Sequence, residues 1–132
     1  MFFKGCDLII HAGDIIRQDD ISKLEEICKV ECVRGNNDYM LPAEQFPNNK
    51  VLIINENIEI YVIHDLDCMY DEIQDYNIVI HGHTHKPEEK YVGNTLVLNP
   101  GSFGPIRFSL PISLATIDFD KDNKFTVKFH QI

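Results

Sequence analysis

The chain has 132 residues, of which 44% are hydrophobic and 25% charged, and it carries a formal net charge of −9. A chain of this length buries roughly two thirds of its unfolded surface, so an ordinary core is expected and a disordered chain is excluded. The longest apolar runs, Val51 to Ile54 and Ile78 to Ile80, fall far short of a bilayer span, and the negative balance opposes a groove that tracks nucleic-acid backbone.

A small phosphate ester remains admissible where metal cations dominate the local field. Cys6, Cys28, Cys32 and Cys68 show no Cys-x-x-Cys spacing, and no leader is expected from the opening residues. Reduced thiols, one domain over residues 1–132, a cytoplasmic location and no membrane association are therefore the expectations.

In chain order, Asp7-Leu8-Ile9-Ile10-His11-Ala12-Gly13-Asp14 reads as a short buried strand that ends in a carboxylate. Asp14 could also cap the next helix, but the apolar periodicity Ile21, Leu24, Ile27, Cys28 begins later, and Asp19 or Asp20 is better placed as its cap. A helix from about Asp20 to Lys29 leads to a strand over Val30 to Arg34, giving the strand-helix-strand unit of a parallel sheet. Gly35-Asn36-Asn37-Asp38 follows, and taken alone it is a plain turn.

Leu41 to Asn49 reads as a loop. Val51-Leu52-Ile53-Ile54 and Ile58 to His64 form a hairpin through Asn55-Glu56-Asn57, and the second strand stops at a histidine followed by Asp65. A lone histidine at a strand end is more often a satisfied hydrogen-bonding residue than a ligand. Met69 to Tyr76 is an acidic helix candidate. The strand Ile78-Val79-Ile80 then breaks at His81-Gly82-His83-Thr84-His85, where alternate side chains can address one shared atom. That stretch is either a metal site or a histidine-rich surface loop. Two more hairpins follow, Lys90 to Leu98 over Gly93-Asn94 and Ser113 to Phe129 over Asp120 to Lys124.

Asp14, Asn36, His64, and His83 with His85 thus come from four separate strand ends, which points to one site. Mixed carboxylate, amide and imidazole donors suit a borderline divalent ion, and the lack of thiolate argues against a structural zinc knot.

Gly13-Asp14, Gly35-Asn36-Asn37-Asp38, His64 and Gly82-His83-Thr84-His85 stand in the order and spacing of the calcineurin-like metallophosphoesterases. With Asn99-Pro100-Gly101-Ser102, the chain resembles their short phosphodiesterase branch, which includes the small retromer subunit. The resemblance implies an α/β protein (α+β in some schemes): a two-layered β-sandwich flanked by helices, with a dinuclear metal site. It implies that Asp14 bridges both metals, that Asn36, His64 and His83 complete one, and that His85 serves the other. Asp14, Asn36, Asp38 and His83 would carry the chemistry, with Asp38 orienting a neighbouring group and His11 and His81 structural. Manganese is the first expectation, with nickel, iron, zinc and magnesium as alternatives. The implied activity is hydrolysis of a small phosphodiester by a hydroxide generated at the metals. A non-catalytic scaffold of the same fold, binding a protein partner, is the alternative.

Three departures qualify the resemblance. The family's opening strand with Asp-x-His does not precede Asp14, which implies an N-terminally incomplete domain without its first strand and helix. Asp14 and His85 alone then serve the second metal, so one ion rather than two becomes the expectation, and a compromised sheet edge predicts lower stability or homo-oligomers. Asn37 stands where many relatives carry a histidine, and an amide cannot act as a general acid, so diesters with good leaving groups are expected. Asp65-Leu66-Asp67 follows His64 where the branch often has Gly-His; these carboxylates either bind metal or close the mouth of the site.

Overall fold

The computed structural model describes residues 6–13, 18–35, 38, 46–84, 86–101 and 113–131. Its centre is the strand β5 (Ile78–Ile80), three β-branched residues that are all buried. Burial on both faces is what a continuous apolar run without alternation requires. β5 pairs in parallel with β4 (Ile58–Ile63) on one edge and β7 (Thr95–Asn99) on the other. The antiparallel strands β3 (Asn49–Ile54) and β6 (Glu88–Val92) flank them, giving a five-stranded sheet in the order β3-β4-β5-β7-β6.

The β3–β4 hairpin turns through Asn55 and Glu56, both at positive φ, and Gly93 at φ +61° begins the turn between β6 and β7. Consecutive positive φ values match the right-handed twist of the paired strands.

The second layer has two pieces. The strand β1 (Leu8–His11) pairs in parallel with β2 (Lys29–Cys32) across the helix α1 (Gln18–Glu25), with Leu8 opposite Lys29 and His11 opposite Cys32. The hairpin of β8 (Ser113–Phe119) and β9 (Phe125–Gln131) is the other piece. Among the described residues β1 is bonded only to β2 and β8 only to β9. Both pieces bury one face on the same core. Ile58, Ile60, Val62, Ile78, Ile80, Leu96 and Leu98 of the large sheet meet Ile10, Ala12 and Val33 from one piece, and Ala115, Ile117, Phe119, Phe125, Val127 and Phe129 from the other. The opposed pairs Ala115–Phe129, Ile117–Val127 and Phe119–Phe125 put every inward residue of that hairpin against another. This is the expected two-layered sandwich.

The outer face of the large sheet carries Tyr61, Ile63, Val79 and Val97, covered by Leu66, Met69, Ile73 and Tyr76. The covering segment is not the helix expected over Met69 to Tyr76. It forms two single 3-10 turns, Leu66–Cys68 and Ile73–Asp75. Asp71 and Asp75 repel at helical i,i+4 spacing, and the Asp71 carboxylate instead accepts a 2.6 Å hydrogen bond from the Tyr76 hydroxyl. The first helix also differs from expectation: among the described residues it spans Gln18–Glu25, so Asp19 and Asp20 lie within it rather than before it, and it ends short of Lys29, where β2 begins.

All four cysteines are free. Cys32 packs with Ile21 and Phe46 under α1, and burial pushes its thiol up to about 11, whereas Cys68 is exposed. Because the thiolate is the nucleophile, iodoacetamide at pH 8 is expected to label Cys68 in the native protein and to spare Cys32 until the chain is denatured. Peptide mass spectrometry measures this, and equal labelling of both would contradict the packing of α1 on β2.

Candidate metal centre

His64 directly follows β4 and is 5% exposed. Its Nδ1 lies 2.7 Å from the carbonyl oxygen of Ala12, at the end of β1 in the other layer. A carbonyl only accepts, so Nδ1 carries the proton and donates it, which makes Nε2 an acceptor. The His64 carbonyl in turn accepts from Gly82 N at 2.9 Å, joining the end of β5 to the same point. Three strand ends from two layers are thereby held together by the backbone and side chain of one residue.

Glycines close in on both sides of His64. Gly13 has φ +104°, and a Cβ built on it would stand 2.6 Å from His64 Nδ1 and 2.8 Å from Gly35 N. A Cβ on Gly82 would approach Ala12 O to 3.1 Å and His64 Nδ1 to 3.4 Å. The glycines of Gly13-Asp14 and Gly82-His83 therefore pack around one imidazole.

His83 sits at φ +69°, and Thr84 N donates to Gly82 O across it at 2.8 Å. This is a γ-turn with positive φ, a rare and strained form. Asn99, fully buried at the end of β7, braces it. Its Nδ2 donates to Gly82 O and to Thr84 Oγ1, both at 3.1 Å, and its Oδ1 accepts from Gly101 N at 2.9 Å. Asn99 was not among the expected site residues. Its signals were its place closing an apolar strand just before Pro-Gly and the Asn99-Pro100-Gly101-Ser102 motif of the family branch.

The turn aims His83 at His64. The rings meet edge to face, 84° apart in plane, and His83 Nδ1 is 3.3 Å from His64 Nε2. That separation is long for an N–H···N hydrogen bond. It matches two imidazole nitrogens on one tetrahedral ion at about 2.0–2.1 Å each, which stand about 3.3–3.4 Å apart. The donor pair therefore fits a divalent ion.

Asp38 is buried, and its Oδ2 accepts from Gly35 N at 2.7 Å while its own amide donates to Gly35 O at 3.1 Å. Side chain and backbone of Asp38 so both fasten to Gly35. Asp14, Asn36 and His85 lie outside the described residues, as does Asn37. Among the described residues no group of three or more histidine, cysteine or acidic side chains gathers as a complete metal-binding set. Asp65 Oδ2 stands 4.0 Å from His83 Nε2, the nitrogen on the far side of the ring from His64. His11 Nδ1 accepts from Gly13 N at 3.2 Å. His81 is buried at the end of β5 with its Nε2 3.7 Å from Glu88 Oε1.

A sequence model of the calcineurin-like phosphoesterase superfamily domain matches residues 2–122. The chain belongs to that superfamily. Its members act with divalent metals, in keeping with the paired imidazoles. The chain is 36% identical over 111 residues to a probable metallophosphoesterase of Methanocaldococcus jannaschii, a match covering 76% of this chain and 55% of that one, so it spans about half that relative's length. It is 31% identical over 129 residues to a probable metallophosphoesterase of Methanothermobacter thermautotrophicus, covering 90% of this chain and 74% of the relative. Two solved structures share the fold at low identity. Wild-type Vps29 of Entamoeba histolytica complexed with zinc has a TM-score of 0.73 at 22% identity, covering 96% of this chain and 81% of that one. A novel archaeal phosphodiesterase also has a TM-score of 0.73, at 19% identity, covering 94% and 83%.

Two outcomes are expected from this arrangement. Gly13→Ala forces a side chain into a left-handed backbone and against His64, so it is expected to lower stability by about 1–3 kcal/mol, measured by urea denaturation; unchanged stability would contradict the close packing. His81 is expected to give an acid limit. Burial lowers its pKa, with Glu88 pulling the other way and only partly offsetting it. A histidine that resists protonation in the fold costs stability as pH falls below the unfolded value of about 6.5. Wild type should therefore lose stability as pH falls below about 6.5, and His81→Gln should flatten that slope.

Proposed function

We propose that this chain is a cytoplasmic, metal-dependent phosphodiesterase that hydrolyses a small phosphodiester with a good leaving group. The reading assigns Asp14, Asn36, His64 and His83 to one divalent ion, manganese in the first instance, and Asp14 with His85 to a second. The observation that carries it is His64 Nε2 facing His83 Nδ1 at 3.3 Å, the separation of two imidazole nitrogens on one tetrahedral ion. When bound, such ions neutralise phosphate charge and lower the pKa of water for attack on phosphorus.

The chain's own residues supply the rest. The Ala12 carbonyl keeps the proton of His64 on Nδ1, so Nε2 is the nitrogen that would ligate. Asp38 holds the Gly35 end of the segment that carries Asn36. Asn37 offers an amide that cannot protonate a leaving oxygen. A leaving group stable as an anion needs no such help. With a net charge of −9, the chain itself gives a phosphate little attraction, which makes substrate binding dependent on metal.

Metal content and hydrolysis of bis(p-nitrophenyl) phosphate test the reading together. Purified protein given manganese is expected to retain at least one equivalent and to release nitrophenolate. His83→Ala is expected to weaken metal uptake by on the order of 100-fold or more and to abolish turnover. Unchanged uptake in that variant would remove His83 from the site. The likeness to Vps29 in its zinc complex supports a second reading, a non-catalytic scaffold of the same fold. Retained metal without hydrolysis would favour it.

A further inference from the structure

We propose that Asp65 is the positioning residue for His83: its carboxylate accepts the Nε2 proton and so presents Nδ1 toward the ion. The inference rests on the metal-binding reading above.

An imidazole has two nitrogens on opposite sides of its ring, and here each faces a different group. Nδ1 faces His64 Nε2 at 3.3 Å, and Nε2 faces Asp65 Oδ2 at 4.0 Å. Asp65 thus meets the nitrogen turned away from His64, so it supports a ligand rather than joining the ligands at that point. A histidine that donates its second nitrogen to a carboxylate is fixed in tautomer and ring orientation and becomes the more basic ligand. The carboxylate is itself anchored. Asp65 caps the turn at Leu66–Cys68, and its Oδ1 accepts from Asp67 N at 3.1 Å, which leaves Oδ2 free to face His83. Closing the remaining gap to a charge-assisted hydrogen bond takes a movement of about 1 Å. Both side chains are partly exposed, 35% for Asp65 and 45% for His83, so neither is locked against it.

His83 has particular need of such a partner. Its turn, with φ +69° and Asn99 behind it, fixes the backbone but touches neither ring nitrogen. Asp65 supplies an acceptor for Nε2.

The two duties of Asp65 separate by substitution. Asp65→Asn keeps an oxygen to cap Asp67 N and turns an amide, which cannot accept, toward His83. Asp65→Glu keeps a carboxylate with the reach to meet Nε2 and gives up the short cap. Zinc titration against a chromophoric chelator, with the zinc still bound by His83→Ala subtracted as thiol background, should show Asp65→Asn weakened by about 10–100-fold and Asp65→Glu largely restored. Proton NMR of the zinc-loaded wild type should show a downfield His83 Nε2–H resonance that disappears in Asp65→Asn. Affinity that follows the cap instead, with the Asn variant intact and the Glu variant weak, overturns the inference. So does an unchanged resonance. Failure of wild type to bind zinc at all overturns the metal reading and this inference with it.

Discussion

One hydrogen bond organises this protein: His64 Nδ1 to the carbonyl of Ala12, 2.7 Å long, from the end of β4 in one layer to the end of β1 in the other. It does two things at once. It pins the layers together at the end where the loops gather, and it decides which nitrogen of His64 carries the proton. A side chain at Gly13 has no room beside this bond, one at Gly82 would crowd the Ala12 carbonyl, and His83 turns toward the other nitrogen.

The bond can hold only because the sandwich beneath it is dry and two-sided. β5 is buried on both faces, so its neighbours β4 and β7 are held parallel and in register, and all three strands end at the same level. From that level project His64, the Gly82–Thr84 turn and Asn99. A turn as strained as the one at His83 persists where its surroundings over-determine it. Here a fully buried asparagine binds both of its ends.

Much of this was legible in the sequence, for definite physical reasons. Ile78-Val79-Ile80 before Gly82 could hardly be anything other than a central strand that stops, and the hairpins were marked by Asn-Glu-Asn, Gly-Asn and Asp120 to Lys124. Strand ends carrying histidine and Gly-Asp pairs told where chemistry would lie. What stayed hidden depends on contacts between distant strands. Asn99 and Gly82 are far apart in sequence, and nothing local says that one braces the other. Asp65 looked like an odd carboxylate of undecided purpose until the far nitrogen of His83 was found opposite it. The stretch from Leu66 to Tyr76 has apolar residues at helical spacing. Its carboxylates and the cap at Asp65 break it into separate turns, an outcome that periodicity alone does not weigh.

The left-handed backbone at His83 sets stability against chemistry at a single position. Glycine or asparagine would sit there with less strain than any imidazole, and a population selected only for folding would drift toward them. Histidine at that φ is therefore a residue the fold tolerates rather than prefers. A screen for thermal resilience would discard it early, and with it the nitrogen that faces His64.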